Sequence, residues 1–292
     1  MPRTKRQRSA SHSGSWYSNK GDELRRQIQS WMNALSSDEG GRVKAIIAPH
    51  AGYAYSGPTM AYAYKHIKPE TIKRIFLLGP SHHVFSRACL LSSCTEYSTP
   101  LGSIPIDEDV YRELKETGAF QFIGVDDDED EHSLEMHLPY IAEIMSGREY
   151  TLIPIIVGAV APDSEALYGR LLHTYLESDD SLFVISSDFC HWGSRFGYQF
   201  RRPEEEIHAS IAWLDSEGMK AIETKRPEEF YTYLKQYENT ICGRHPIGIL
   251  LQAISHSNKE YSIQFTRYDR SNLVHSMSDS SVSYASAIIT MM

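Results

Sequence analysis

The sequence predicts an α/β fold, in which a single domain holds a largely parallel or mixed central sheet covered by helices. Short apolar runs rich in β-branched residues alternate with longer amphipathic segments. Near-continuous apolar runs are typical of strands that are buried on both faces, and their alternation with helices indicates parallel pairing. Because the chain shows no internal repeat and no long linker, we expect one domain over residues 1–292.

Seven apolar runs are the predicted strands. In the second of them, RIFLLGP (74–80), four apolar residues lead into a glycine and a proline, which end strand pairing and turn the chain. The run SLFVISS (181–187) has the same apolar character and ends in serines. The full set covers residues 42–49, 74–80, 88–93, 150–160, 181–187, 261–268 and 281–291.

The segments between the predicted strands carry helical patterns. The segment DEDVYRELKETG (107–118) begins with acidic residues and ends with glycine, as a helix does. Amphipathic spacing also predicts helices over residues 21–35, 163–178 and 203–223. The acidic run VDDDEDEH (125–132) predicts a charged loop that leads into a helix start, where acidic side chains suit the helix dipole.

The net charge of the chain indicates which classes of binding partner are disfavoured. The formal net charge is -9 and the isoelectric point is about 5.8. This balance argues against general binding to nucleic acid or to anionic membranes, since both reward clustered positive charge. The one basic run, PRTKRQR (2–8), is expected to be solvated, so residues 1–10 are predicted to form a flexible basic tail.

Localisation is predicted from apolar segments and cysteines. No apolar run approaches the length of a membrane-spanning helix, and no apolar stretch follows the N-terminal charges as in a secretory signal. We therefore expect a cytoplasmic protein without membrane insertion, with the nucleus as an alternative because of the basic run. The four cysteines form no C-x-x-C pair and no zinc-finger spacing, so free thiols are expected.

Residues that can carry chemistry follow three of the predicted strands. His50 follows the first, His82 and His83 follow the second, and Asp188 and His191 follow the fifth. Ligands of α/β sheets bind beyond the carboxyl ends of the strands, so these side chains can converge. Two imidazoles and a third donor are a common metal arrangement. The alternative is a set of hydrogen-bonded loop residues, and the residues alone leave both interpretations open.

Cys242 is a candidate third donor. It lies just ahead of a predicted helix whose first residue is Pro246, and Arg244 and His245 are its neighbours. A helix N-terminus and positive neighbours lower a thiol pKa, which would give a reactive or metal-binding thiolate. The alternative is a small buried residue at a turn.

The segment DEHSLEMHLPY brings further acids and histidines together. On a helix His132 and Glu135 share one face, whereas His137 points elsewhere. The spacing is not H-E-x-x-H, so it does not indicate a zinc protease. We expect Glu131 and His132 to support the site.

Other motifs disfavour some functions. The segment HAGYAYSG (50–57) has glycines but matches neither G-x-G-x-x-G nor a P-loop, which disfavours a nucleotide site. No G-x-S-x-G elbow is present, which disfavours an α/β-hydrolase. In the N-terminal segment, Trp16 and Tyr17 are expected either to cover the sheet end or to pack into the core.

Six motifs in the same order resemble the Memo family, which is named for a mediator of receptor-tyrosine-kinase-driven cell motility. They span residues 11–249, and the C-terminal DSSVSYAS is also similar to the family. The resemblance implies a fold similar to that of the catalytic subunit of class III extradiol dioxygenases, which are non-haem iron enzymes. The motifs are SHSGSWY, IIAPHAGYAYSG, GPSHHV, DEDEHSLEMHLPY, SSDFCHWG and TICGRHPIG.

The same resemblance implies roles for the strand-end residues. His50 and His82 match the metal-binding histidines, and Cys242 matches the third metal-site residue. His191 matches the acid–base histidine of the dioxygenases, and Asp188 lies beside it. The dioxygenases have a glutamate where this chain has the cysteine. Because two imidazoles and a thiolate are a softer donor set, copper is the expected cofactor, with iron and zinc as alternatives, and ring cleavage is disfavoured.

For function, the resemblance implies copper-dependent redox activity, reactive oxygen species, and signalling to the cytoskeleton and to cell motility. It also implies that phosphotyrosine-containing receptor peptides bind in the same cleft. Trp16 and His191 match residues that line this cleft, and His83, Glu131 and His132 are expected in or beside it.

Three hypotheses follow, so the sequence leaves open whether the protein is an enzyme. The first is a metal-dependent redox protein, in which His191 moves protons and Asp188 orients an imidazole. The second is an adaptor that binds phosphopeptides or signalling proteins without catalysis. The third is a surviving iron dioxygenase, in which Asp188 completes a facial triad with the two histidines.

Overall fold

A computed structural model describes residues 6–36 and 41–292. It shows a mixed β-sheet that is covered by helices. The predicted α/β class is therefore confirmed. The strands are β1 (Gln7–Arg8), β2 (Arg42–Ala48), β3 (Arg74–Pro80), β4 (Cys89–Ser92), β5 (Glu96–Thr99), β6 (Gly102–Pro105), β7 (Gln121–Ile123), β8 (Thr151–Val157), β9 (Ser181–Ser186), β10 (His191–Trp192), β11 (Tyr261–Arg270) and β12 (Ser281–Met291).

The helices turn apolar faces towards the core. In the helix over Pro162–Glu177, for example, Tyr168, Leu172 and Leu176 are buried at helical spacing. No helix within the described ranges is long and apolar enough to cross a membrane. The helices are α1 (Gly21–Asn33), α2 (Tyr53–Tyr64), α3 (Glu108–Glu116), α4 (Val125–Asp130), α5 (His132–Glu135), α6 (Leu138–Ile144), α7 (Pro162–Glu177), α8 (Ile207–Glu223), α9 (Pro227–Tyr237) and α10 (Arg244–His256).

The main sheet has nine strands in the described part of the chain. Its order is β10-β12-β2-β9-β3-β8-β4-β7, and β11 pairs with β12. The central strands β2, β9, β3 and β8 run parallel, whereas β12 and β4 flank them in antiparallel pairing. The central strands carry the apolar runs seen in the sequence, because both of their faces are buried. A small separate sheet has the order β1-β5-β6.

Parallel pairing aligns the carboxyl ends of β2, β3 and β9. Ala48 of β2 lies beside Ser186 of β9, and Leu78 of β3 lies beside Ile185 of β9. The three strands therefore end at the same edge of the sheet, and the residues that follow them face one region. This edge is where the sequence predicted the candidate site.

Several elements of the structure differ from the predicted ones, and helix α9 (Pro227–Tyr237) was not predicted. The strand Arg74–Pro80 has the predicted bounds, but the helix Tyr53–Tyr64 was not predicted, since most of its residues are buried and leave no polar stripe. The acidic run 125–132, expected to be a loop, is largely helical in α4 and α5. Helix α10 begins at Arg244, ahead of the predicted first residue Pro246.

The predicted flexible basic tail of residues 1–10 is wrong at its end. Residues 1–5 lie outside the described residues, but Gln7–Arg8 pairs in parallel with β5. Arg8 is fully buried, and its guanidinium donates to Glu135 at 2.7 Å and to Asp128 at 3.3 Å. A solvated arginine was expected there; two buried carboxylates compensate its charge instead.

Candidate metal centre

A cleft of about 690 Å³ opens at the carboxyl edge of the central strands. His50 follows β2, His82 follows β3 and His191 follows β9, and all three side chains line this cleft. Trp16 from the N-terminal segment and Asp188 line it as well. The convergence of strand ends that the sequence predicted is therefore present in the structure.

His50 is buried, and its hydrogen bonds assign the ring nitrogen that faces the cleft. The Ser186 hydroxyl donates to the carbonyl of Ser133 at 2.7 Å, so it accepts from Nδ1 of His50 at 2.6 Å. Nδ1 then carries the proton and Nε2 presents a lone pair. Burial, followed by the charges of His82 and His132, holds the pKa of His50 well below its ordinary value, so the imidazole is neutral.

Glu131 positions His82. Its carboxylate accepts from the backbone N–H of His82 at 2.6 Å and from Nδ1 of the ring at 2.9 Å. A carboxylate on one nitrogen of a metal-binding imidazole fixes the tautomer and leaves the other nitrogen for the ion. Burial alone would raise the pKa of Glu131, but hydrogen bonds from His82 and Ser133 lower it to about 2. This contact is the structural basis for the supporting role expected of Glu131.

His132 lies between Trp16 and His82. Its ring centroid is 4.5 Å from that of His82 in a stacked arrangement and 4.6 Å from that of Trp16. Burial, followed by the charge of His82, lowers the pKa of His132 to about 4, so the ring is neutral at pH 7. Trp16 is 37% exposed and forms a cleft wall, whereas Tyr17 is buried, so the two aromatic residues have different fates.

Three histidines meet the distances of a metal site. One ring nitrogen from each of His50, His82 and His132 lies within 4.8 Å of the other two. The sequence predicted His132 as a supporting residue in or beside the cleft, and not as a metal ligand. Its place directly after Glu131, which holds His82, is the signal that sequence inspection could have used.

Cys242 lies beside His50 and is not among the described residues that line the cleft. Its Sγ is 3.3 Å from Nε2 of His50 and accepts from the backbone N–H of Asp188 at 3.2 Å. Burial, followed by the charge of Asp188, raises the pKa of the Cys242 thiol. The predicted lowering of this pKa is therefore wrong. One of the positive neighbours it relied on, His245, is bonded instead to Glu165 at 2.6 Å.

Asp188 and His191 follow β9 and make different contacts. The buried Asp188 carboxylate accepts from the backbone N–H groups of His50, at 2.8 Å, and of Ala51. It thus positions His50 through the backbone, whereas the sequence predicted contact with an imidazole. Burial outweighs the charge of His191 and raises the pKa of Asp188. Nδ1 of His191 donates to the carbonyl of Phe189 at 2.9 Å, which leaves Nε2 with a lone pair.

The remaining predicted cleft residue, His83, is exposed and is not among the described lining residues. Its ring centroid lies 6.1 Å from that of His132. The site residues that were missed in the sequence include Ser186, which orients His50, and Arg195, which lines the cleft. Ser186 stands at the carboxyl end of a predicted strand, which is a usable signal. Arg195 lies in the short 3-10 helix Ser194–Phe196, which no sequence pattern indicated.

The fold and the site together define a class of α/β proteins. In this class a histidine-lined cleft opens at the carboxyl ends of the parallel strands. The family model of the Memo-like proteins matches residues 8–288. The chain is 48% identical over 289 residues to Protein MEMO1 of Mus musculus and of Homo sapiens, with 97% of each chain covered. It is 44% identical to the Protein memo-1 homolog of Caenorhabditis elegans, over 97% of this chain and 82% of the relative. The chain therefore belongs to the Memo family.

A solved structure shares the fold. The uncharacterized protein JW3007 from Escherichia coli K12 matches with a TM-score of 0.51, over 82% of this chain and 98% of that chain. The sequence identity is 13%, so the match concerns the fold alone. The Memo resemblance that the six sequence motifs indicated is confirmed.

Proposed function

We propose that the cleft binds a copper ion through His50 and His82 and that the protein is a metal-dependent redox protein, linked to cytoskeletal signalling as its family resemblance implies. The orientation of the two rings carries the proposal. Each Nδ1 is occupied by a buried partner, Ser186 or Glu131, so each Nε2 carries the lone pair that can bind a metal, and that of His50 faces Cys242. Metal-binding histidines in proteins have this arrangement of outer hydrogen bonds.

The third donor decides which metal is preferred. We propose Cys242, whose Sγ is 3.3 Å from Nε2 of His50, because a thiolate favours copper over iron. The backbone N–H of Asp188 points at this sulfur and stabilises a thiolate. A coordinated thiol gives up its proton, so the raised pKa of the metal-free thiol makes copper binding through Cys242 dependent on pH but does not exclude it. His132 is the competing donor and would give three imidazoles, which suit zinc as well as copper.

Bound copper would supply one-electron redox chemistry with oxygen. The chain supplies the surroundings of that chemistry. His191 can accept and return a proton at Nε2, since its Nδ1 is already bonded to a carbonyl. Asp188 holds the backbone of His50 in place, and Trp16 covers one side of the cleft. Iron and zinc are the alternative metals.

A surviving iron dioxygenase has less support. It requires Asp188 as the carboxylate ligand, but this carboxylate accepts from the backbone of His50 and Ala51. Anaerobic loading with ferrous iron, followed by oxygen uptake with catechols, tests this alternative, and a ring-cleaved product would establish it.

Copper binding by matched single variants tests the proposed centre. We expect wild-type protein to bind copper in competition with a chelator, and His82→Ala to bind one ion fewer per chain. His83→Ala is the matched control, since this adjacent imidazole is exposed and outside the described cleft lining. Equal copper binding by wild type and His82→Ala contradicts the proposal.

Two further variants identify the third donor. Cys242→Ser is expected to weaken copper binding and to shift preference towards harder metals. If its affinity is unchanged while that of His132→Ala falls, the site consists of three imidazoles. Thermal unfolding of both metal-free variants shows whether a loss of binding comes from a loss of fold.

A second candidate function is the binding of a phosphotyrosine peptide in the same cleft without catalysis. Arg195 and the N-terminus of α2 both line the cleft, and both attract an anion. Titration calorimetry with metal-free protein tests this function. Arg195→Ala should weaken binding, whereas Arg112→Ala, which changes an exposed arginine of α3, should not. Equal affinity for the unphosphorylated peptide would contradict it.

A further inference from the structure

A second histidine cluster joins the start of α8 to the connection between β11 and β12, which we name the 271–280 loop. Glu206 directly precedes α8, His208 lies in its first turn, and His275 lies in the loop. One donor atom from each of the three side chains lies within 4.8 Å of the other two. The rings of His208 and His275 have centroids 5.3 Å apart and cross at 65°, so they are not stacked on each other.

We propose that Glu206, His208 and His275, which we name the surface cluster, form a second metal site that binds Zn²⁺. Two imidazoles and one carboxylate are a donor set that zinc uses in proteins, with a fourth position left for water or another ligand. The absence of a thiolate distinguishes this set from the cleft, where Cys242 adjoins His50. The proposal does not depend on the copper site in the cleft.

An unpartnered nitrogen supports the surface cluster as a ligand site. Nδ1 of His208 is buried and has no hydrogen-bond partner among the described residues. Buried polar atoms are nearly always bonded, so an exception requires an explanation. A cation bound at Nδ1 would give this nitrogen the partner that it lacks.

The charge around the surface cluster is mixed, because Arg201, Arg202 and Arg270 lie near its acidic residues. Three consecutive glutamates, Glu204–Glu206, precede α8. The positive end of a helix dipole disfavours a cation, and acidic side chains at that end offset it. Glu205 is already paired with Arg202 at 2.9 Å. Glu206 is exposed and close enough to both imidazoles to act as the carboxylate donor.

The 271–280 loop holds His275 in a defined place. The preceding residue, Val274, is fully buried and anchors the loop. The Asp279 carboxylate accepts from the backbone N–H of His275 at 3.0 Å. Arg270, just before the loop, donates to the carbonyl of His208 at 2.9 Å. The two imidazoles are therefore held near each other by contacts that involve no ion.

The surface cluster adjoins one wall of the cleft. Ser271, Asn272 and Ser280, from the two ends of the 271–280 loop, line the cleft described above. An ion shared between α8 and this loop would restrain that wall. We therefore expect zinc to slow amide hydrogen exchange in the 271–280 loop.

Zinc binding by full-length variants in a His82→Ala background tests the inference, because this background weakens the cleft site. We expect the His82→Ala protein to bind one Zn²⁺ with an affinity that falls at least roughly tenfold in His82→Ala/His275→Ala. Zinc should slow exchange in the 271–280 loop of the first protein only. Equal zinc affinity in the two proteins, or zinc-independent exchange in both, would overturn the inference.

His256→Ala in the same background is the matched control. The ring centroid of His256 lies 6.3 Å from that of His173. Among the described residues, these two histidines do not belong to a group of three side chains close enough to share a metal ion. Replacement of His256 should leave zinc affinity unchanged, and an equal loss there would also overturn the inference. His275 is exposed, so its replacement should leave metal-free thermal unfolding unchanged. These outcomes do not bear on the copper site, which is measured at His82 and Cys242.

Discussion

The two histidine clusters of this protein differ in what holds them. In the cleft, His50 and His82 follow parallel strands, and each Nδ1 is bonded to a buried partner. In the surface cluster, His208 begins a helix and His275 lies in a loop, and the two meet only because the loop folds onto the helix. The two clusters are therefore positioned in different ways. The sheet and buried hydrogen-bond partners position the histidines of the cleft, whereas the packing of a loop on a helix positions those of the surface cluster.

A buried charged network connects the N-terminal segment of the cleft to the helices beneath it. Arg8 donates to Glu135 at 2.7 Å and to Asp128 at 3.3 Å. Glu135 also accepts from the Tyr17 hydroxyl at 2.7 Å and from the backbone of His12 at 2.9 Å. The network ties the N-terminal segment, which supplies one wall of the cleft, to α4 and α5.

The largest expected effect comes from breaking this network. Arg8→Ala leaves two buried carboxylates without their cation, so we expect a loss of about 3–5 kcal/mol in the free energy of unfolding. Urea unfolding at pH 7 measures it. The matched control is Arg6→Ala, an exposed neighbour whose backbone N–H bonds to Thr95, and its effect should stay within about 0.5 kcal/mol. Equal losses in the two variants would contradict the structural role of Arg8.

The second largest effect is expected for Glu131→Gln, which should change metal binding in the cleft but not at the surface cluster. Glu131→Gln replaces the charged acceptor on Nδ1 of His82, so copper affinity in the cleft should fall roughly 10- to 100-fold. Zinc binding at the surface cluster should not change. Glu129→Gln is the control, because that carboxylate accepts from the backbone of Ser9 and not from a histidine. A similar fall in both variants would show that general charge, rather than orientation of His82, controls copper binding.

A histidine outside both clusters, His137, is expected to make the free energy of unfolding depend on pH. His137 is fully buried and bonded to the Tyr64 hydroxyl at 2.9 Å, and burial lowers its pKa from 6.5 to about 3. Between these values the unfolded chain binds a proton that the folded chain does not. The free energy of unfolding therefore falls as pH falls through this window, by up to about 1.4 kcal/mol per pH unit from this group.

Replacing His137 should remove that contribution. Urea unfolding of His137→Gln between pH 7 and pH 4 is expected to show a shallower decrease of stability than in wild type. His83→Gln, at an exposed imidazole, should keep the wild-type slope. Identical slopes for wild type and His137→Gln would show that this histidine does not contribute to acid sensitivity.

The fold could be predicted where the burial of an element requires a recognisable pattern of apolar residues in the sequence. The central strands are apolar on both faces, so their positions followed from composition alone. Helix α2 carries no polar stripe because most of it is buried, and the strand Gln7–Arg8 contains a charged residue that only its tertiary partners explain. Parallel pairing then placed His50, His82 and His191 at one edge, which is why their convergence could be predicted without a structure.

The rest of the site depends on contacts between distant segments. His132 joins the cleft because α5 lies against β3, which no local pattern reports. The thiol pKa of Cys242 follows from its burial and from Asp188, not from its neighbours in the sequence. His208 and His275 are likewise far apart in the chain and meet through the 271–280 loop.

Trp16 gives the smallest expected change in stability and reports on the location of copper. Of the four tryptophans, Trp16 lines the cleft, with its ring centroid 4.6 Å from that of His132. Copper quenches indole fluorescence at short range, so an ion in the cleft should quench Trp16 most strongly. Trp16→Phe keeps an aromatic ring in a partly exposed wall, and we expect less than about 1 kcal/mol of destabilisation.

The fluorescence of Trp16→Phe should therefore lose most of its copper dependence while the protein still binds copper. His82→Ala should show little copper-dependent quenching with the indole still present, because the ion no longer binds beside it. Wild-type quenching that survives in Trp16→Phe would place the copper near another tryptophan and outside the cleft. The surface cluster would then be the better candidate for the copper, and the contrast between the two clusters would be reversed.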